Sequence, residues 1–351
     1  MNHMCMSIKF LGVVGILLSG GVLCKYLGWQ SIFYVPGGVT IVWIIVWCFL
    51  MFDSPEIHPR ISDLEKEYIL NSLGDQGRAK RKRNANVWKE AFENLKFPII
   101  PVLLSPCVWA LWIAHNCFDW GGYAFFTTIP SFMKQVLFFD IESNGFLSSI
   151  PYFILWIVII GVGHIVDKFI LGRKWISIKI TRKICTAIGL IGPALVLLLL
   201  WFTDCRRAVL AVVIFSVGVA LTGVNISGFM VNYIDVAKDY TSVLYAIGNT
   251  ASSLTGYFAP TVFGVFTEKQ THTSWAWAFT LTAGIMAIGG VVFCIFSEGE
   301  EQKWAVSGRR KKEQEDATTE ENPTALFRAE APETNEEIEL NFSDRIVKEN
   351  A

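Results

Sequence analysis

Apolar positions along this chain gather into long runs, and short polar joints separate them. The runs fall at roughly 10–24, 32–52, 105–133, 144–166, 184–203, 208–234, 241–266 and 275–296. They are continuous, so they lack the period-two alternation of strands in a membrane barrel. Most approach or exceed the about 20 apolar residues that a helix needs to cross a bilayer. The pattern predicts an all-α membrane protein with about eight transmembrane helices. The first run is short, because Lys9 and Lys25 bracket it. A signal-peptide core, with Ser19 and Gly21 imitating a cleavage site, is its competing reading. Gly12, Gly15, Gly20 and Gly21 suit close packing against another helix better. Pro36, Pro130, Pro193 and Pro260 lie within or near runs, where membrane helices tolerate them.

Composition supports this reading. Only 17% of residues are charged and 52% are hydrophobic, with a mean hydropathy of +0.43. A soluble domain carries about 25% charged residues. The eight cysteines are scattered without C-x-x-C or metal-ligand spacing, and read as small buried hydrophobes. No glycine-rich phosphate loop with its lysine and no H-E-x-x-H occurs. The expectation is a protein that is not an enzyme and carries no cofactor.

Charge gives the orientation. Lys and Arg number nine in 53–98, six in 167–183 and one in 235–240, sixteen in all. The interleaved joints hold five: Lys25, Lys134, Arg206, Arg207 and Lys269. The positive-inside rule places the richer set, and both termini, in the cytoplasm. Ser62-Asp63-Leu64-Glu65 reads as a capping box opening a helix to about Leu73. The basic cluster at 78–83 reads as a solvated topology determinant, or as a contact with anionic lipid. Beside eight spans it does not suggest nucleic acid. The expected organisation is 1–52 with two helices, 53–98 a cytoplasmic loop, 99–298 a six-helix bundle, and 299–351 a disordered acidic tail.

Polar residues inside the runs are the candidate chemistry. His115, Asp119 and Tyr123 are spaced i, i+4, i+8 and share one helix face. An aspartate at a helix centre costs about 2.5–3.5 kcal/mol on insertion scales, so it faces a cavity, a partner or a proton. A proton- or cation-coupling pair with His115 is one reading; an end splayed toward water is the other. Asn225 and Asn232 share a face that Ser227 leaves by about 200° in a regular helix. Asp235, Lys238 and Asp239 read as a tight cytoplasmic turn. Asn249, Ser252 and Ser253 share another face, as interhelical glue or as ligand contacts. The stretch Gly163 to Lys174, with Asp167 and Arg173, reads as a latch at a helix end.

The G-x-x-x-D…G-R-K stretch at 163–174 resembles the loop signature of the major facilitator superfamily. Ser105-Pro106-x-Val108-Trp109-Ala110…His115…Trp120-Gly121-x-Tyr123 resembles the seventh helix of its anion:cation symporter branch, solute-carrier family seventeen. So do Asn144-Gly145-Phe146-Leu147-Ser148, Arg182-Lys183…Gly189…Gly192-Pro193-Ala194, and Ser227-Gly228-Phe229-x-Val231-Asn232-x-x-Asp235 with Gly248-Asn249-Thr250. The resemblance covers roughly 10–304 and implies a partial twelve-helix fold lacking its first four helices. It implies sialin-like or sodium/phosphate-like symport of a small anion, driven by protons or sodium. The family's essential arginine and coupling carboxylates on its first and fourth helices have no counterpart here. Asp119 stands where the family commonly has Asn, and Phe118 where vesicular glutamate transporters have Arg. The resemblance assigns Ser227 and Asn249 to substrate hydrogen bonds. With the residue pattern, it gives Tyr123 and His115 to the lining, Asp119 to coupling, and Asp167 and Arg173 to the gate. The expected partners are membrane lipids, a small anion and, as an alternative reading, a full-length homologue; the expected place is a plasma or lysosomal/vesicular membrane.

Overall fold

The computed structural model describes residues 2–52, 55, 57–70, 97–173, 175–203 and 207–306. The basic cluster at 78–83 and the tail from 307 lie outside the described residues. Among the described residues the chain is helical, with no strand. Ten helices organise it: α1 (Asn2–Leu27), α2 (Ser31–Leu50), α3 (Pro106–Gln135), α4 (Ile141–His164), α5 (Ile178–Leu198), α6 (Ala208–Thr222), α7 (Phe229–Val236), α8 (Thr241–Ser253), α9 (Thr255–Phe266) and α10 (His272–Phe296). Among the described residues, six helical segments are long and apolar enough to cross a membrane: Ile8–Leu27, Ser31–Leu50, Ile141–Lys168, Ile178–Phe202, Ala208–Val236 and His272–Phe296.

The other two expected spans exist as helices. α3 has 30 residues, about 45 Å of helix, but polar groups such as His115, Asn116 and Asp119 dilute it. The run 241–266 is divided at Leu254 into α8 and α9. The hydroxyls of Ser253 and Thr255 donate to carbonyls four and three residues back. Such back-bonding bends helices.

A second interruption separates α6 from α7. Residues Gly223–Ile226 tighten into a 3-10 turn before α7 begins at Phe229. Gly228 lets this turn lie against α5: a Cβ there would sit 2.4 Å from Thr186 Oγ1 and 2.8 Å from Thr186 N. Because the segment is not a regular helix, Asn225 and Ser227 are both buried. The choice between their two faces does not arise.

α3 lies at the centre, touching α10, α8, α9, α4 and α6. Around it, Phe132 meets Phe215, Trp275 and Phe279 at centroid distances of 5.5, 5.6 and 5.7 Å, all edge-on, the favoured geometry for aromatic pairs. α1 packs along α4. A Cβ on Gly21 would meet the Ile141 carbonyl at 3.0 Å, and one on Gly145 the Leu17 carbonyl at 2.9 Å. Gly12, Gly15 and Gly20 face open space instead, so one of the four expected glycines makes that contact. Lys25 pairs with Glu142 at the far end of the same seam. α2 buries only Ser31.

The cap at Ser62 forms as expected: its hydroxyl accepts from Glu65 N at 3.3 Å, and residues 63–70 are helical. The beginning of the expected disordered tail is packed. Lys179 Nζ binds Glu298 Oε2 at 2.6 Å, Gln302 N donates to the Val236 carbonyl at 2.9 Å, and Ala305 is fully buried.

Candidate functional site

Asp119 sits on α3 at the wall of a cavity of about 310 Å³ between α1, α3, α4 and α6. Its spacing from His115 and Tyr123 puts all three on one face, and the structure uses that face in depth. Tyr123 lines the cavity beside Asp119. Gly256 of α9 admits the Tyr123 ring, which a Cβ would meet at 3.0 Å. His115 lies one turn away, only 1% exposed, with Nε2 3.8 Å from Asp119 Oδ2. Its Nδ1 is 3.2 Å from the buried Tyr233 hydroxyl of α7. The Ser252 hydroxyl of α8 donates to Asp119 Oδ2 at 2.6 Å. Three helices thus hold one carboxylate and one imidazole 3.8 Å apart, each beside a hydroxyl from another helix. Such a pair can hold a proton or release it to a ligand.

Gly248 makes this crossing of α3, α7 and α8 possible. A Cβ there would stand 2.7 Å from both Trp112 Cδ1 and the Tyr233 hydroxyl oxygen. Trp112 Nε1 in turn donates to the Leu244 carbonyl at 3.1 Å.

The remaining expected positions lie elsewhere. Ser227 is buried in the turn between α6 and α7; its carbonyl accepts from Arg182 Nη1 at 2.8 Å, and its hydroxyl has no hydrogen-bond partner among the described residues. Asn249 is exposed on α8, its carbonyl accepting from Ser253. Neither joins Asp119 and Tyr123 in the cavity wall. Asp167 lies in a π-helical turn, Ile165–Leu171, that continues α4. Its carbonyl accepts from Gly172 N at 3.0 Å. The Arg173 guanidinium rests 5.5 Å from the centre of the Trp175 ring. Both side chains are exposed at the end of α4.

Two charged features were not expected as part of any site. Lys9, which reads in the sequence as a bracket of the first run, lines the same cavity as Asp119. Asp235 was read as a turn residue, but its carboxylate is only 15% exposed and accepts from Arg182 Nε at 2.7 Å. This pair ties α7 to α5. The sequence signal was opposite charges at the ends of two adjoining runs.

The model of the Major Facilitator Superfamily matches residues 4–260. This chain belongs to that superfamily. The facilitator chain is 36% identical over 298 residues to sialin of Ovis aries, covering 85% of itself and 57% of the relative. It is 35% identical to sialin of Homo sapiens, with the same coverage. To vesicular glutamate transporter 2 of Homo sapiens it is 33% identical, over 85% of itself and 49% of the relative. The facilitator chain therefore spans about half the length of the curated relatives it matches. It is a partial facilitator fold and a multi-pass membrane protein.

Proposed function

We propose that this chain acts as a secondary active transporter of small organic or inorganic anions, by proton- or sodium-coupled symport with alternating access. The substrates in view are sialic-acid, acidic-sugar or phosphate-like. One observation carries the reading. Asp119, linked to His115 and Ser252, faces a cavity between apolar membrane helices, next to a cation. An aspartate among apolar membrane helices calls for a polar ligand or a coupling ion to meet. The similarity to sialins and to transporters named for glutamate, an anion, supports the same substrate class. Asp167 and Arg173 are assigned to the cytoplasmic gate, Ser227 and Asn249 to substrate contacts in another conformation. The membrane is plasma or lysosomal/vesicular, with both termini cytoplasmic.

Uptake by the purified 351-residue chain in proteoliposomes tests this. Labelled sialate or phosphate should accumulate under an imposed proton or sodium gradient, and Asp119→Asn should abolish accumulation. A second reading has its own support in α2, which buries only Ser31 within the chain. In that reading the protein does not transport, and pairs with or regulates a full-length homologue. Gradient-driven uptake by this chain alone overturns it; uptake only with added helices overturns the first.

A further inference from the structure

A second hollow, of about 570 Å³, lies where the end of α1 meets the start of α4. Leu18, Val22 and Lys25 are spaced i, i+4, i+7 and so share one face of α1. Glu142 and Phe146, four apart, share a face of α4. Leu18, Val22 and Phe146 line the hollow and stand 38%, 46% and 59% exposed, so it opens at the surface as a groove. Phe139 and Leu147 line it from the inner side, packed on the core. Glu142 belongs to the wall and pairs with Lys25. We propose that this groove binds one molecule of phosphatidylethanolamine, its headgroup at the Lys25–Glu142 pair and an acyl chain along Val22, Leu18 and Phe146. The inference stands apart from the transporter reading.

Depth and charge select this occupant. The apolar segment Ile8–Leu27 ends beside the pair and Ile141–Lys168 begins there, so the pair lies at the level of lipid headgroups. Tyr26, Trp29 and Phe138 are exposed at the same end, as aromatic residues are at a membrane interface. From Lys25 back to Leu18 is about 10 Å of helix, which carries the groove from that level into the hydrocarbon. The two charged side chains are 46% and 43% exposed. An ion pair that open contributes little, so exchanging its partners is cheap. A zwitterionic lipid brings both signs: its phosphate meets Lys25 and its ammonium meets Glu142. An anionic lipid would match Lys25 alone and face the Glu142 carboxylate. A choline headgroup has no N–H to give. A primary ammonium has three, and replaces Lys25 as donor to the carboxylate.

The test is native mass spectrometry of the detergent-solubilised full chain, titrated with dioleoyl phosphatidylethanolamine, phosphatidylcholine or phosphatidylglycerol. Wild type should retain one ethanolamine lipid, bound roughly 10- to 100-fold more tightly than the other two, the worth of a charge-assisted hydrogen bond. Glu142→Gln should bring the ethanolamine lipid down to the level of the choline lipid. Lys25→Met should weaken both zwitterionic lipids. Val22→Trp fills the groove and leaves the ion pair in place, so its result does not depend on the α1–α4 seam; it should abolish the one-lipid step. An unchanged helical circular-dichroism spectrum and elution volume show that each variant is folded. Equal affinity for the three lipids, tighter binding of phosphatidylglycerol, or a wild-type preference in Glu142→Gln or Val22→Trp overturns the proposal.

Discussion

Arg182 and Asp235 join α5 to α7 through a contact that is nearly dry, with side chains 6% and 15% exposed. Removing one partner of such a pair leaves the other charge buried and uncompensated, at about 3–5 kcal/mol. Arg182→Met should therefore lower the thermal stability of the detergent-solubilised protein sharply, also freeing the Ser227 carbonyl from its donor. The double variant Arg182→Met with Asp235→Leu should lose less than the sum of the single losses, because no lone charge remains. Equal or additive losses would argue against a coupled pair. Tyr233→Phe takes the hydroxyl from His115 Nδ1 and should cost about 1–2 kcal/mol in the same melt. At this scale the sequence was informative where neighbours share a helix. The spacing of His115, Asp119 and Tyr123 was readable, because i, i+4, i+8 fixes a face. Ser252 meeting Asp119, Tyr233 meeting His115, and Lys9 entering the cavity depend on which helices touch. No periodicity within one run encodes that. A helical wheel sets Asn225 and Ser227 on different faces because it assumes a regular helix, and the 3-10 turn at Gly223–Ile226 breaks that assumption.

Helix boundaries were legible wherever a run ended in turn or capping chemistry, and the internal breaks were not. The kink at Leu254 comes with two back-bonding hydroxyls, of Ser253 and Thr255, that also fit an unbroken membrane helix. Close packing of α8 on α3 and α7 is a property of Gly248, since an added Cβ would stand 2.7 Å from two held aromatic side chains. Gly248→Ala should destabilise by about 1–3 kcal/mol through overpacking, whereas Gly264→Ala, with open space around it, should be near neutral. Matching losses at the two positions would mean that helix propensity, not packing, governs. The start of α4 offers a pH test outside the membrane. Asp140 caps it by accepting from Glu142 N and Ser143 N at 3.2 Å each. Hydrogen bonds from Ser143 and then from the Glu142 amide hold its carboxyl below the ordinary carboxylate value. A folded-state value lowered in this way adds stability above that ordinary value, lost as pH falls through the lowered one. Asp140→Ala should therefore lower the melting temperature by more at pH 7 than at pH 3. An equal effect at both would show that the charge plays no part in the cap.

For the molecule as a whole, the greasy runs were enough to read a multi-pass helical protein, because length and apolarity are properties of each run alone. Which helices gather at the centre was not readable, since it depends on contacts between runs. Orientation rests on the basic count, and the structure sharpens that count. Arg182 is a buried partner of Asp235 rather than a solvated flank, so sixteen becomes 16 − 1 = 15 against five. The asymmetry survives. The contacts also sort by end: Lys179–Glu298, Arg182–Asp235 and Gln302–Val236 join the start of α5 to the ends of α7 and α10. Lys25–Glu142 joins the end of α1 to the start of α4. Antiparallel neighbours put these two groups on opposite sides of a membrane, and the positive-inside rule sends the first group to the cytoplasm. Trypsin added to sealed vesicles should then cut at the Arg78 to Arg83 block only when the cytoplasmic face is outward. Cutting only in vesicles of the other orientation would reverse the topology.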